Sequence, residues 1–525
     1  MRDFHLAGRS PVLASRGMCA TSHPMGALVA VDTLRRGGNA VDAAIAGAVA
    51  LGVCEPHMTG LGGDCFALLK PAGSDAVLAL NGSGRAPAAA SPDALLARGL
   101  DAVPIGAPEA VTIPGAVDAF CALSLAHGRL GLADTLRPVA DLFEAGVPVA
   151  PRVARDWDVA AATLKGGARD VYLRDGAALR VGAAFALPGQ AEVLRRIARN
   201  GRAAFYEGEV AEDMVAALRA AGGVHTMEDF ARTACGWTEP IAGDYRGTEI
   251  VEHAPNGQGA TAILLAAILA RFDMRAMDPL GAERVHLEAE ATKLAYDARN
   301  RILADPDHTT RLARMLDPDM AARLAALIDP HRAMPAAAPL TEAVHRDTVY
   351  IAVVDGDGMA VSLIYSIYHA FGTGIASGKF GILLHNRGAG FVLTPGHPNA
   401  YGPGKRPMHT IIPGMLRVDG RVTMPFGVMG GAYQPTGHVR LVSNLVDFGM
   451  DPQTAIDAPR AFADGGALMV ERGYADAVRA ALVEMGHDVR VPEAPLGGAQ
   501  AIRIDPRGFL EGASDPRKDG CALGW

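Results

Sequence analysis

The sequence predicts an α/β protein in which helices and sheets are stacked in layers. Hydrophobic residues make up 50% of the 525 positions, but only 5% are aromatic and 62 are glycine. Packing must therefore rely on close backbone approaches more than on bulky side chains. One early helix is apolar on every side, which is typical of a helix buried between layers. Near residue 348 the pattern changes from helical spacing to strand-forming runs.

The N-terminal elements are two helices in series. Residues 25–36 carry leucine and valine at helical spacing, and the run ends at a glycine pair. Asn39 is predicted to cap a second helix that extends to residue 53 and is polar only at Asp42. Such a helix should lie deep in the fold.

The next segments alternate between one strand and long helical stretches. Residues 65–69 form a short apolar run that predicts a strand, and helical patterns dominate from 104 to 270. A long helix is predicted over 282–303, before the proline at 306. Residues 310–339 are rich in alanine, arginine and proline, which indicates short helices that lead into a loop.

A β-hairpin is the clearest local prediction. Residues 348–354 are β-branched and apolar, the turn is Asp-Gly-Asp-Gly, and residues 359–365 return as a second strand. Beyond it the sequence predicts glycine-rich loops at 372–390 and 427–431, a helix around 439–446, and a βαβ-like end. We therefore place one boundary, between a helix-rich part (1–347) and a strand-rich part (348–525).

Composition excludes several classes of function. The 49 Lys and Arg against 57 Asp and Glu give a net charge of −8, so no basic excess exists for a nucleic-acid surface. The longest apolar stretch, 43–54, is shorter than the ~20 residues of a membrane span. Residues 1–17 lack the uninterrupted apolar core of a secretory signal, and the six cysteines have no C-x-x-C spacing. We expect a cytoplasmic protein with a small-molecule substrate, no nucleic-acid partner and no membrane association.

No cofactor and no metal are expected. The 16 histidines include no H-E-x-x-H sequence. The glycine-rich loops at 60–63 and 372–374 do not complete a dinucleotide motif between a strand and a helix.

Thr348 is the first residue of the predicted hairpin and follows a polar loop. On local grounds its β-branching alone would explain the position. Matches along the whole chain, however, resemble the gamma-glutamyltranspeptidase family of N-terminal nucleophile hydrolases, from Gly17 to Trp525. The matching segments are RRGGNAVDAA (35–44), EPH (55–57), GLGG (60–63), GRAP (84–87), DT (347–348), FGTG (371–374), KRP (405–407), GG (430–431) and GASDPR (512–517).

This resemblance implies a four-layer αββα sandwich and autocatalytic cleavage between Asp347 and Thr348. The products would be a large subunit of residues 1–347 and a small one of 348–525, joined as a heterodimer with a higher oligomer left open. A threonine hydroxyl is a poor nucleophile near neutral pH. Cleavage before it creates an α-amino group of ordinary pKa ~7.7–8.0, which supplies the missing base.

The resemblance also assigns other catalytic groups. Gly430 and Gly431 offer two consecutive backbone N–H groups with no side chain in the way, which suits an oxyanion hole. Ser366 lies where family members carry a hydroxyl beside the nucleophile, and an ordinary alternating strand position is the equal alternative.

The substrate-binding residues combine a match with a departure. Arg85 matches the family arginine that binds the substrate carboxylate, a role for which a guanidinium is suited. Family members hold the glutamyl α-ammonium with Asn, Gln and Asp at positions that align with Tyr368, Arg387 and Gly390. Their paired serines align with His409 and Thr410.

Compared with those family members, this chain lacks the anionic Asp at 390 and has the cation Arg387, with a possible partial cation at His409. Such a pocket should repel an ammonium and attract carboxylates. Residues 386–391 and 406–410 resemble segments of the family branch that includes oxamate amidohydrolase and cephalosporin acylases. The bulk of Tyr368, Arg387 and His409 favours a short acyl group, as in oxamate. The alternatives are a genuine γ-glutamyl hydrolase or transferase, a glutaryl or cephalosporin acylase, and a catalytically inactive homologue that keeps the fold.

Overall fold

The computed structural model describes residues 5, 8–335 and 348–525. The strands in these residues are β1 (Val12–Ala14), β2 (Met18–Thr21), β3 (Asp64–Lys70), β4 (Leu78–Gly82), β5 (Val147–Pro148), β6 (Ala184–Phe185), β7 (Gly236–Thr238), β8 (Ile241–Tyr245), β9 (Thr248–Glu252), β10 (Val349–Val354), β11 (Ala360–Ser366), β12 (Gly414–Val418), β13 (Arg421–Met429), β14 (Ala461–Asp464), β15 (Ala467–Val470), β16 (Val489–Arg490), β17 (Gly498–Ile504), β18 (Leu510–Ser514) and β19 (Cys521–Gly524).

The α-helices of the same residues are α1 (Pro24–Arg35), α2 (Ala40–Cys54), α3 (Pro92–Ala97), α4 (Ala116–His127), α5 (Leu132–Ala145), α6 (Pro151–Ala160), α7 (Gly167–Tyr172), α8 (Pro188–Asn200), α9 (Ala203–Tyr206), α10 (Glu209–Ala220), α11 (Met227–Arg232), α12 (Gly259–Leu269), α13 (Ala282–Ile302), α14 (Leu312–Met315), α15 (Pro318–Ala325), α16 (Gln434–Val446), α17 (Pro452–Asp457) and α18 (Asp476–Glu484). Within these residues, no helix combines the length and the apolar character that a membrane crossing requires.

Two seven-stranded antiparallel sheets form the centre of the molecule. Sheet I has the order β1-β18-β17-β13-β12-β9-β8, and sheet II has the order β19-β2-β10-β11-β3-β4-β7. The sheets pack face to face, with β10 against β13 and β17. Helix α2 covers the outer face of sheet II, and α12 and α16 cover that of sheet I. The predicted αββα sandwich is confirmed.

The N-terminal helices follow the sequence prediction closely. Asn39 accepts hydrogen bonds from the N–H groups of Val41 and Asp42, and the Asp42 carboxylate accepts from the Asn39 N–H. Every residue of α2 is buried, because α1, α5 and sheet II surround it. The all-apolar pattern was therefore a correct indicator of depth.

Two segment predictions were wrong. Residues 236–252 form three strands within the range predicted as helical. Burial alternates along β8, and this period of two is the pattern that indicates a strand. Residues 427–429 were predicted as loop but complete β13. Gly427 is required there because an added Cβ would lie 2.3 Å from the Tyr350 ring of the facing sheet.

Each sheet contains strands from both sides of the 347/348 boundary. In sheet II, β10 and β11 lie between β2 and β3, and in sheet I, β9 pairs with β12. The two segments share one set of layers, so neither has a complete sheet of its own. We predict that both remain associated after a cut at this boundary.

Candidate active site

Thr348 and Ser366, two of the residues predicted to act, lie side by side where strands of sheet II begin and end. Register pairs Val349 with Tyr365, so Thr348 lies beside Ser366 at the end of β11. Ser366 in turn pairs with Asp64, the first residue of β3. The antiparallel order of β10, β11 and β3 thus brings three polar side chains to one edge, and all three are buried.

Thr348 and Ser366 are in direct contact. Thr348 Oγ1 lies 3.2 Å from Ser366 Oγ, and either hydroxyl can donate the proton. Ser366 Oγ also accepts a 2.8 Å hydrogen bond from the Tyr368 N–H. This second bond fixes the serine oxygen, so Ser366 is placed to orient the threonine hydroxyl.

We expect Ser366→Ala to lower kcat by about tenfold to a hundredfold, which corresponds to one lost hydrogen bond in the transition state. KM should change little, because the serine contacts the hydroxyl of Thr348, the candidate nucleophile. Steady-state kinetics on the processed protein measure both constants.

Ser362→Ala is the matched control. It removes a buried hydroxyl from the same strand, where Ser362 Oγ contacts Tyr350 Oη at 2.8 Å and the Phe426 carbonyl at 3.2 Å. Equal losses in the two variants would assign Ser366 a purely structural role.

Gly430 and Gly431 form the turn between β13 and α16. Their φ angles are +118° and +57°, a pair of values that side-chain-bearing residues rarely adopt. An added Cβ at Gly430 would lie 2.9 Å from the Gly497 Cα. Among the described residues, neither glycine N–H has a backbone or side-chain acceptor. Both amides are thus available for an anion, as an oxyanion hole requires.

Gln258 holds this turn in place. No sequence motif indicated this role. Its Nε2 donates to the Gly431 carbonyl at 2.9 Å and to the Thr410 carbonyl at 2.7 Å. Its Oε1 accepts from Arg299 Nη1 at 2.8 Å. A fully buried amide that makes these bonds couples the glycine turn to the segment that carries His409 and Thr410.

Asp64 is a second residue that the sequence analysis missed. Its Oδ1 accepts from the Gly84 and Gly115 N–H groups, each at 3.1 Å. Its Oδ2 lies 3.1 Å from His409 Nε2 and 3.4 Å from His385 Nδ1. Its position directly after the glycine-rich segment 60–63 was the one available indicator.

The charge at His409 differs from the expectation. Burial and the neighbouring Arg387 lower the pKa of His409 to about 3, against the opposing effect of Asp64. The ring is neutral near pH 7, so the partial cation predicted there is wrong. Burial alone would raise the pKa of Asp64, but His385, His409 and Arg387 together lower it, so this carboxyl is an anion.

Arg387, Tyr368 and Thr410 form one contiguous group, here called the arginine cluster. Arg387 Nη1 donates to Thr410 Oγ1 at 2.8 Å, and the guanidinium carbon lies 3.7 Å from the Tyr368 ring centroid. The arginine is 1% exposed. Stacking on Tyr368 and the hydrogen bond to Thr410 hold its charge in a fixed orientation.

Arg85 lies after β4 and is held at its Nη1 atom. That atom is 3.2 Å from Asp305 Oδ2 and 2.9 Å from the Gly404 carbonyl. The side chain is 44% exposed, and within the described residues its Nε and Nη2 edge makes no hydrogen bond. This edge has the two parallel donors that a carboxylate accepts.

A cavity of about 450 Å³ adjoins the glycine turn. Gly430, Met429 and Tyr433 form one wall, and Arg152 and Lys518 are among the charged residues that line it. The arginine cluster, Arg85 and Thr348 do not line it. The cavity therefore adjoins the candidate oxyanion hole without belonging to the predicted acyl pocket.

The Asp347 half of the predicted cleavage site lies outside the described residues. We predict one active site that is formed by Thr348, Ser366, Gly430, Gly431, Arg85, Arg387, His409, Thr410 and Tyr368. Thr348 contacts Ser366, and Ser366 in turn accepts from the Tyr368 N–H. Arg387 contacts both the Tyr368 ring and the Thr410 hydroxyl.

Comparisons with known proteins agree over almost the full length. Residues 26–525 match the family model described as Gamma-glutamyltranspeptidase. The "Glutathione hydrolase-like YwrD proenzyme" of Bacillus subtilis is 37% identical, over 98% of this chain and 99% of that protein. The "Oxamate amidohydrolase proenzyme" of Klebsiella pneumoniae is 35% identical, over 98% of this chain and 99% of that protein.

Solved structures give the same result for the fold. The cephalosporin acylase from Bacillus halodurans superimposes with a TM-score of 0.93 and is 38% identical, over 100% of this chain and 98% of that one. The names of these three proteins refer to three different substrates.

Proposed function

Since the chain belongs to the gamma-glutamyltranspeptidase family and is an autoprocessing amidohydrolase of it, we propose that it hydrolyses the amide of a small carboxylate-bearing acyl group without an α-ammonium. Oxamate is the simplest such amide. The observation that carries this proposal is the arginine cluster. A buried guanidinium there occupies the place where an ammonium-binding member of the family is expected to have an amide or a carboxylate.

Asp64 does not restore the lost ammonium site. Its two oxygens already contact the Gly84 and Gly115 amides and the rings of His409 and His385. An ammonium near Arg387 would be repelled by about 3 kcal/mol at 5 Å and an effective dielectric constant of about 20. A carboxylate at the same place would be attracted to a similar degree, so the cluster favours acids.

Processing is proposed at the Asp347–Thr348 bond. Thr348 Oγ1 attacks the Asp347 carbonyl, the C–N bond breaks, and the acyl group moves from nitrogen to oxygen as an ester. Water then hydrolyses the ester, which leaves a carboxyl group at Asp347 and a free α-amino group on Thr348. Ser366 Oγ, at 3.2 Å, orients the hydroxyl throughout.

The same oxygen then attacks the substrate amide. The α-amino group of Thr348 takes the hydroxyl proton and passes it to the leaving nitrogen as the C–N bond breaks. The N–H groups of Gly430 and Gly431 stabilise the oxyanion. Water releases the acid from the resulting ester and restores the hydroxyl. For oxamate the products would be oxalate and ammonia.

Substrate size is proposed from the same residues. Tyr368 and Arg387 stack at 3.7 Å and are both buried, so they fill space beside Ser366. A two-carbon acyl group fits such a restricted place better than a glutaryl group.

Acylase activity on a larger amide is the second candidate function, and the cavity beside Gly430 favours it. Its volume of about 450 Å³ would accommodate a leaving group much larger than ammonia. In that case the acyl pocket would still select a carboxylate, and only the amine side of the substrate would differ.

A substrate panel tests the proposal. We expect ammonia release from oxamate to exceed, in kcat/KM, the release of p-nitroaniline from a γ-glutamyl anilide by at least about 100-fold, which corresponds to the ~3 kcal/mol of repulsion. Glutaryl p-nitroanilide has the acyl length and the leaving group of the γ-glutamyl anilide but no ammonium, so it is the matched comparison for charge, and its comparison with oxamate reports acyl size. Efficient cleavage of the γ-glutamyl anilide alone would contradict the charge argument, whereas a preference for the glutaryl anilide would favour the acylase.

Location in the cytoplasm is also proposed. All six cysteines are free, as a reducing compartment permits, and three of them are buried. Fractionation of the source cells tests it, and recovery outside the cytoplasm would contradict it.

A further inference from the structure

A buried group of His286, Glu290 and His487 lies away from the candidate active site. His286 and Glu290 are one turn apart on the same face of α13, and His487 lies between α18 and β16. One ligand atom of each lies within 4.8 Å of the others. The two histidines are 201 residues apart in sequence, so no spacing motif could indicate the group.

Hydrogen bonding fixes the tautomer of the central histidine. His286 Nε2 lies 2.8 Å from the Asp329 carbonyl, which can only accept, so this nitrogen carries the proton. Nδ1 therefore presents a lone pair towards the group, and it lies 2.8 Å from His487 Nε2. A carbonyl that orients one ring nitrogen while the other faces the ligand is the usual second shell of a metal-binding histidine.

We propose that His286, Glu290 and His487 bind one divalent transition-metal ion of the zinc type. Two imidazole nitrogens and one carboxylate oxygen are ligands that zinc accepts in a four-coordinate site. Bonds of about 2.0–2.2 Å in tetrahedral geometry separate ligand atoms by about 3.3 Å. The two rings must therefore move apart by about 0.5 Å, and the Nε2 proton of His487 must move to its Nδ1.

A fourth ligand position would face a cavity of about 270 Å³. His487, Lys293 and Met334 are among the residues that line it. Water from this cavity can complete the coordination, which makes entry of the ion possible from the same side.

Lys293 is the competitor of the ion. Its Nζ lies 2.6 Å from Glu290 Oε1 and 3.1 Å from the Met334 carbonyl, and its side chain is 14% exposed. The ammonium neutralises the carboxylate when no ion is bound. Removal of this charge should tighten metal binding.

The group also joins the two sides of the processing boundary. His286 and Glu290 precede residue 348, and His487 follows it. Glu290 Oε2 accepts from the Met334 N–H at 2.8 Å, and the Ala333 N–H donates to the Met485 carbonyl at 2.8 Å. An ion here would link the chains that cleavage produces. The metal site itself does not depend on the proposed substrate.

The test is metal titration of the full-length, processed protein after dialysis against EDTA. Co²⁺ binding is followed by its visible absorption, and Zn²⁺ by equilibrium dialysis with elemental analysis. We expect one equivalent to bind wild type with micromolar or tighter affinity. His487→Gln and Glu290→Gln should weaken binding at least about 100-fold, because loss of a ligand should cost no less than loss of a second-shell partner, which costs up to ~100-fold.

Lys293→Met should tighten binding about tenfold, and His308→Ala, at an exposed histidine elsewhere in the chain, should leave it unchanged. Glutamine at 487 can still donate to His286 Nδ1, which keeps the variant folded. Equal melting temperatures without metal check this. A wild type that binds no stoichiometric ion, or variants at 487 and 290 that bind as tightly as wild type, would overturn the proposal. Oxamate hydrolysis should be unaffected by these variants, so the metal site and the proposed function fail independently.

Discussion

Replacement of Thr348 by alanine should leave one uncut chain of 54.4 kDa and lower amidase activity by about 10⁴-fold or more. The variant lacks the oxygen that is proposed to attack both the Asp347 carbonyl and the substrate amide. Denaturing electrophoresis should show a single band, where wild type shows two. N-terminal sequencing of the smaller wild-type chain should begin at Thr348.

Thr348→Ser is the control for this experiment. It keeps the hydroxyl and, after cleavage, the α-amino group, so it should be cut more slowly and retain part of the activity. Cleavage of the alanine variant at the same bond would contradict the nucleophile assignment. A wild type that stays in one band would favour the catalytically inactive homologue.

The pH profile of the same wild-type protein should report the α-amino group. Activity should rise with pH as this group loses its proton, through a value near its ordinary pKa of ~7.7–8.0. Over this range His409, with a pKa of about 3, stays neutral, and Asp64, with a pKa below its ordinary value, stays an anion. A profile that is flat between about pH 6 and 9 would contradict the α-amino group as base.

Replacement of Arg387 by methionine should lower kcat/KM for oxamate by about 100-fold, mainly through KM. The loss corresponds to ~2.7 kcal/mol, the scale of a charge-assisted contact to a carboxylate in a buried site. The methionine side chain keeps apolar contact with the Tyr368 ring. Both chains should still appear on the gel, because the guanidinium does not contact Thr348 Oγ1.

Arg387→Lys separates charge from geometry. A lysine keeps the charge but loses the planar stacking on Tyr368 and the paired donors, so its loss should be intermediate. Arg490→Met, at an exposed arginine that pairs with Asp488, is the matched control and should have no effect. If Arg387→Met keeps kcat/KM within threefold of wild type, the arginine cluster does not bind the substrate carboxylate.

The arginine cluster shows how far a sequence argument about charge can reach. The residue at 387 predicted a cation, because side-chain type alone fixes the charge of an arginine, and the structure buries that arginine. The same argument was wrong for His409, because the charge of a histidine depends on burial and on neighbours that sequence does not place. Asp64 also changes the local balance, and it lies in sequence far from both residues.

Local patterns determined much of the fold. The Asn39 cap, the apolar helix α2 and the hairpin of β10 and β11 depend on residues within one turn or one strand of each other. Such interactions leave a periodic trace, so they were predictable within one or two residues. The matches along the chain then indicated Thr348 as the candidate nucleophile, a prediction that the threonine alone would not support.

The sequence by itself determined the family and the layered fold, since each rests on local spacing or on ordered matches. Only the tertiary structure decided the support from Gln258 and Asp64, the strands in 236–252, and the group of His286, Glu290 and His487. The physical reason is that hydrogen-bond partners, burial and protonation depend on which distant segments the two sheets bring together. Sequence separation carries no record of that proximity.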